Sequence, residues 1–335
     1  MALVVGLAML VAGAELVVRQ GTALARRMGV SPLVVGLTVV SLGTSLPELA
    51  IGLNAAHQSN AGLAVGNIVG TNLVNVLLIL GLAAVIRPVV FAPRTLRIDL
   101  PVMTGASVLL FVLARDGTLS TRDGLWLCGY GAAYLVFLVV HTRREPQDPP
   151  GLPSDTPAPT TPAPDPPAPT TPASDSRVGV RRRVVVEVVL LVVGLAVIVV
   201  GAEFLVDGAV QLARSWGASD SVVGLTVVAV GTSAPELVTT ILSTVRGQDR
   251  SLALGNLLGS SVFNIALILG PTVLAAPGSV PVPDDVLALD LVLMVASALV
   301  CVPAFFTRRR LSRWEGGAFV TTYVLYMAWL LTTRL

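Results

Sequence analysis

The chain has 335 residues, 54% hydrophobic and only 13% charged, with a formal net charge of +2. A soluble domain carries about 45–50% apolar and about 25% charged residues, so this composition argues against a soluble globular enzyme. All 22 basic residues are arginine, set in short clusters between apolar runs, which excludes nucleic-acid binding as a main role. Cys128 and Cys301 sit far apart inside apolar runs, with no CxxC spacing, and read as packed thiols.

A helix needs about 20 mostly apolar residues to cross a bilayer. Ten stretches meet this: 1–18, 30–56, 62–86, 98–114, 123–141, 184–206, 218–244, 251–276, 285–306 and 315–332. The first carries Glu15 and runs directly into further spans, as a first membrane helix does and a cleavable leader does not. The stretches 30–56 and 218–244 are too long and glycine-rich for one straight helix. Between the fifth and sixth lies a linker, 145–176, with twelve prolines among 32 residues. That composition cannot bury a core and is expected to be extended and disordered. The expected organisation is a first membrane repeat at 1–141, a Pro/Thr/Ala-rich linker at 142–183 and a second membrane repeat at 184–335.

Eighteen of the 22 arginines fall in loops after odd-numbered spans. Arginine accumulates on the cytoplasmic side. The expectation is therefore a multi-pass protein of the cell membrane, with both termini outside and the linker in the cytoplasm.

The two halves are copies. Val34–Leu49 (VVGLTVVSLGTSLPEL) and Val222–Leu237 (VVGLTVVAVGTSAPEL) are identical at thirteen of sixteen positions, at an offset of 188. A second pair, Gly66–Gly81 and Gly255–Gly270, follows at an offset of 189. Apolar helices share Val, Leu and Gly by chance, but Thr, Ser, Pro, Glu and Asn do not recur in register that way. A duplicated unit with five spans re-enters the membrane from the opposite side. The expected fold is all-α, ten transmembrane helices in two inverted five-helix repeats, with the substrate site where the repeats meet.

Glu48 and Glu236 lie mid-span in apolar sequence, where an ionisable group is costly and marks a pathway or a cavity. Pro47 and Pro235 remove backbone donors beside them, and Gly43 and Gly231 permit a bend. Carboxylates, hydroxyls and freed carbonyls are hard oxygen ligands suited to Ca²⁺, and two carboxylates neutralise one divalent ion. No Cys/His cluster favours zinc, copper or iron. Thr44 and Glu48 are four apart, as are Thr232 and Glu236, Thr71 and Asn75, and Ser260 and Asn264, so each pair shares a helix face.

The strings GTSLPE and GTSAPE, each followed by GNxxGxxxxN, resemble the paired alpha-repeats of the calcium/cation antiporter superfamily, nearest its bacterial sodium/calcium exchanger branch. The resemblance covers nearly the whole membrane region. It implies that Glu48 and Glu236 bridge calcium and sodium sites, and that Thr44 and Thr232 lend carbonyls to calcium. It also implies that Ser45, Ser233, Thr71 and Ser260 serve sodium, with carbonyls of Ser41 and Ala229. Asn75 and Asn264 would complete the ring. Some relatives carry Asp where Asn264 stands, which counts against potassium co-transport here, and Thr71 replaces the more usual Ser. The function implied is a secondary antiporter exchanging Na⁺ for Ca²⁺ by alternating access, in the direction of calcium extrusion.

No cofactor and no obligate protein partner are expected; the ions are substrates and the bilayer is the solvent. No GxxxxGK[ST] string suggests a primary pump. H⁺/Ca²⁺ or K⁺-dependent exchange, and a passive cation channel, stand as alternatives. Glu15 and Glu203 recur near span ends and suit helix packing or the interface. Asp99 and Asp290 recur as well, and suit arginine pairing or capping.

Overall fold

The computed structural model describes residues 2–30, 32–57, 61–91, 95–142, 175–215, 229–246, 250–308 and 310–333. Ten helical segments run through them: Ala2–Met28, 32–57, 61–86, 95–116, Thr121–Thr142, Asp175–Ser215, 229–246, 250–275, 286–308 and Arg313–Thr333. They are numbered here as spans one to ten. Six contain stretches that are long and apolar enough to cross a membrane unaided. Most of the others are interrupted or shortened, and these include the two that carry the glutamates. The expected start of the seventh span, 218–228, lies outside the described residues.

The second and seventh spans break where the sequence demands it. Ser45 leaves helical geometry (φ −89°, ψ 8°) between Ser41–Thr44 and Leu46–His57. Pro47 has no N–H to give the Gly43 carbonyl, and Pro235 none for Gly231. A turn at Ser233 separates Ala229–Thr232 from Ala234–Arg246 in the same way. Wide π-turns also recur in register: Val74–Leu80 matches Asn264–Leu269, and Thr95–Asp99 matches Val286–Asp290. Such turns mark places where regular packing yields to function.

The sixth span is helical from Asp175, within the stretch 142–183 expected as linker. Pro172 is the last proline of the stretch, so no ring removes a backbone donor from there onward. The remaining linker residues, 143–174, lie outside the described residues.

Strand pairing between loops demonstrates the inversion. Four two-residue strands are present: β1 (Val89–Val90) after span three, β2 (Thr118–Leu119) before span five, β3 (Val280–Pro281) after span eight and β4 (Arg310–Leu311) before span ten. By the repeat, β1 corresponds to β3 and β2 to β4. Yet β1 pairs with β4, and β2 with β3, both antiparallel. Span four, Thr95–Asp116, separates β1 from β2, so β1 and its copy β3 lie at opposite ends of the molecule. The same capping device follows β2 and β4. Ser120 bonds Asp123 through its N–H (2.8 Å) and hydroxyl (2.6 Å), and Ser312 bonds Glu315 likewise (both 2.7 Å).

The helices bury two apolar clusters. The larger joins spans three, four, five, eight, nine and ten with Leu37 of the second; the smaller joins spans one and six with Val35 and Val40 of the second, Ala234 of the seventh and Leu252 of the eighth. Outward-facing residues such as Leu125, Trp126, Val136, Val189, Leu325 and Trp329 are exposed apolar side chains that lipid, not water, would solvate. Spans one and six approach backbone to backbone through glycines seven apart, Gly6 and Gly13 against Gly201 and Gly194. A Cβ on Gly201 would stand 2.8 Å from Met9 Cβ, 3.0 Å from Leu10 N and 3.1 Å from the Gly6 carbonyl. Gly201→Val should therefore overpack this seam and cost about 1–3 kcal/mol, measured as a lower unfolding temperature in detergent; a wild-type melting curve would refute the seam.

Candidate functional site

Four broken or widened helices bring the expected residues to the centre. Span two packs along span eight and span seven against span three, while 46–57 meets Asn264–Leu269 and Ala234–Arg246 meets Val74–Leu80. This is the pseudo-two-fold arrangement anticipated from the repeat. Gly36 allows the closest approach, since a Cβ there would run into the Leu252 carbonyl and lie 2.9 Å from Asn256 N.

Each glutamate stands in the first turn of a half-helix that starts after its break. The positive end of that half-helix is directed at a negative side chain. Glu48 is 0% and Glu236 1% exposed, and the two carboxyl groups act on each other through space. Neither forms an ion pair among the described residues. Two carboxylates out of water, with no ion pair among the described residues, form a strongly unfavourable arrangement unless a positive charge joins them.

The surrounding polar side chains are just as buried: Ser41, Thr44, Ser45, Thr71, Asn75, Thr232, Ser233, Ser260 and Asn264 are all at most 6% exposed. Ala229 lies in the short helix Ala229–Thr232 of span seven. Buried polar atoms normally find partners. Here both carboxylate oxygens of Glu48, Oε2 of Glu236, both side-chain amide atoms of Asn75 and Asn264, Ser45 Oγ and Thr71 Oγ1 have none among the described residues. The concentration of unpartnered polar atoms, with Glu48 and Glu236 and also Asn75 and Asn264 represented at equivalent positions of the two repeats, is the chemical signature of the site. Carboxylate, amide and hydroxyl oxygens left without protein partners are hard ligands that suit a cation.

Other members of the expected set are already engaged. Ser260 Oγ donates to Glu236 Oε1 (3.1 Å). The Ser41 carbonyl accepts Ser45 N–H (3.1 Å) and lies 3.4 Å from Thr44 Oγ1. The Ser41 hydroxyl donates to the Gly36 and Asn256 carbonyls (2.7 and 2.8 Å) and so fastens span two to span eight.

Asn256 is a central residue absent from the expected set. It is 0% exposed; its Oδ1 stands 3.0 Å from Thr44 Oγ1, and its Nδ2 donates to Thr239 Oγ1 at 3.5 Å. The Thr44 hydroxyl thus faces both Asn256 and the Glu236 carboxylate. The signal was present in sequence, because Asn256 and Asn67 recur in the GNxxG string. Thr239 carried no such signal, since the matching residue is Ile51. That difference is visible in the structure: Asn67 Nδ2 has no partner among the described residues.

Outside the centre, Glu15 pairs with Arg246 (2.7 Å), linking span one to span seven, and Arg27 pairs with Glu187 (2.6 Å), linking span one to span six. Asp99 accepts the Tyr134 hydroxyl at 3.3 Å from within its π-turn. Asn256→Ala should cost about 0.5–1.5 kcal/mol by removing its contacts to the Thr44 and Thr239 hydroxyls, which keep the Val40 and Pro235 carbonyls as partners. Asn67→Ala should cost measurably less, and equal losses on thermal unfolding would contradict the asymmetry.

Comparison with known proteins agrees with this geometry. The family model described as sodium/calcium exchanger protein matches residues 1–141 and 186–332. The sodium/calcium exchanger MaX1 of Methanosarcina acetivorans is 34% identical, over 97% of this chain and 96% of its own length. The inner membrane protein YrbG of Escherichia coli is 36% identical, over 83% of this chain and 80% of its own. The sodium-calcium exchanger NCX_Mj, solved after soaking with 10 mM Na⁺ and zero Ca²⁺, superposes with a TM-score of 0.78 at 28% identity, covering 98% of this chain and 97% of the other. With duplicated motif, inverted architecture and family match in agreement, the chain belongs to the sodium/calcium exchanger family and is a secondary antiporter of the membrane, not an enzyme.

Proposed function

We propose that this chain moves Ca²⁺ out of the cell in exchange for Na⁺, with Glu48 and Glu236 as the shared ligands of both ions. The observation that carries the reading is the cluster of buried, unpartnered oxygens around the two carboxylates. One Ca²⁺ cancels both charges; sodium ions do so when calcium leaves. Occupancy by one ion therefore excludes the other, and sodium moving down its gradient displaces calcium. In this reading Thr44 and Thr232 give carbonyls to calcium. Ser45, Ser233, Thr71 and Ser260, with the carbonyls of Ser41 and Ala229, serve sodium. Asn75 and Asn264 close the ring.

The inverted repeats supply the two faces that alternate access requires, since each half presents the same half-helices to opposite sides. The arginine distribution supports a cytoplasmic linker with both termini outside. The linker serves as a passive tether between the repeats, because its proline content gives it no means to build a core.

Calcium flux in proteoliposomes under imposed gradients of Na⁺, K⁺ or H⁺ tests the coupling. Sodium should drive calcium uptake, and Glu48→Gln or Glu236→Gln should abolish it while the protein still inserts and folds. Retained sodium-driven uptake in both single variants would overturn the assignment, and equal uptake on a pH gradient in sodium-free vesicles would transfer the coupling to protons. Deletion of 152–172 leaves eleven residues between Thr142 and Asp175, able to span about 35 Å extended. Transport should then be nearly unchanged, and loss of transport at normal expression would make the segment regulatory.

A further inference from the structure

The central motif is the same in both repeats, but the half-helices that carry the glutamates are not. Glu48 is followed by Ile51, Gly52, Ala55 and Ala56; in the same register Glu236 is followed by Thr239, Thr240, Ser243 and Thr244. These four hydroxyl residues are each at most 4% exposed. Part of the difference is a volume exchange. A Cβ on Gly52 would lie 2.6 Å from Thr272 Oγ1, and the repeat counterpart of Thr272 is Ala83. Where one half packs Gly against Thr, the other has Thr and Ala at the matching positions.

Volume explains the size of Thr240 but not its hydroxyl. Threonine in an apolar helix satisfies itself on the carbonyl four residues back. Thr272 does so on Ile268 (2.7 Å), Thr244 on Thr240 (2.7 Å) and Thr239 on Pro235 (2.8 Å). For Thr240 that carbonyl belongs to Glu236, where the Thr239 hydroxyl already stands at 3.1 Å. Thr240 Oγ1, in a residue 1% exposed, has no partner among the described residues. One turn earlier on the same helix face, Glu236 Oε1 is held by Ser260 and Oε2 is likewise without a partner.

We propose that Glu236 Oε2 and Thr240 Oγ1 form a one-sided subsite for a sodium ion, one helical turn from the centre toward Arg246. One shared negative charge and a neutral hydroxyl match a monovalent cation that keeps part of its water. A divalent ion needs more oxygens and more charge. The first repeat has no counterpart, because Gly52 offers no side-chain oxygen. The two halves of the ion path are therefore chemically unequal, and sodium entering or leaving on the Arg246 face meets a ligand that sodium on the other face does not. This rests on the antiporter reading above and adds to it a residue outside the repeated motif.

The test uses the full chain, with sodium as the probe. In proteoliposomes, Thr240→Val, which keeps the shape and removes the oxygen, should raise the Na⁺ concentration for half-maximal exchange about tenfold, the loss of one oxygen contact to a charged group. The rise should appear only when Na⁺ is varied on the Arg246 face, with the Ca²⁺ requirement unchanged. Thr240→Ser should restore the wild-type value, and Thr244→Val, whose hydroxyl is bonded within its own helix, should be neutral. In detergent, the Na⁺ concentration that protects against thermal unfolding should shift in parallel. If Thr240→Val folds poorly, Thr240→Ala reads the same loss. Unchanged sodium dependence, a matching change in calcium dependence, or failure of serine to rescue would overturn the subsite. Absence of sodium-driven flux in the wild-type chain would instead overturn the antiporter reading, and the sodium-protection series would still judge the subsite by itself.

Discussion

Two buried carboxylates, each in the first turn of its half-helix, share the centre of a protein whose remaining central surface is almost entirely apolar or neutral. Glu48 and Glu236 are each at most 1% exposed, without an ion pair among the described residues. In a low dielectric this pair is the most expensive element of the structure. The features around it lower that cost: the half-helix that begins just before each glutamate, the hydroxyl of Ser260 on Glu236, and the Thr44 hydroxyl between Glu236 and Asn256. None of these is a full positive charge. In the function proposed above, a mobile cation supplies the balance, so that the pair serves transport instead of standing as a permanent ion pair.

The helix breaks follow from the same constraint. A carboxylate halfway along an intact helix would face only closed backbone hydrogen bonds. Proline and a preceding serine turn open the helix one residue ahead of the first turn that holds the glutamate, in both repeats. The break therefore does two things: it frees carbonyl oxygen at the depth where an ion must lose its water, and it aims a helix N-terminus at the acid. The wide turns that begin near Asn75 and at Asn264 continue this pattern on the neighbouring spans.

Symmetry explains the architecture, and departures from it explain how the two sides differ. The crossed strand pairs, the paired Ser120 and Ser312 caps and the glycine seam between spans one and six all obey the pseudo-two-fold relation. Asn256 with Thr239, and the unpartnered Thr240 hydroxyl, do not. An antiporter working between two compartments of different sodium content has reason for unequal halves, and duplication followed by divergence at a few positions beside the centre provides them.

Composition alone established a membrane protein, and the constant offset between the halves established duplication. The odd number of spans per copy required inversion, because a chain crossing five times ends on the opposite side. The doubled GTSxPE string located the centre, since a charge recurring in apolar sequence has no packing explanation. Those conclusions rest on burial cost and counting, which are local and readable. Tertiary structure decided which polar atoms are satisfied and which are not. Glu15 meets Arg246 and Arg27 meets Glu187 across residues 231 and 160 positions apart. The Ser41 hydroxyl serves the Asn256 carbonyl, and Asn256 serves Thr44 and Thr239. Each partner choice depends on which helix faces lie within about 3 Å of each other, a distance set by packing among glycines and β-branched neighbours. No periodicity in one strand of sequence encodes that distance, so only the folded chain could separate the oxygens held by protein from those left for an ion.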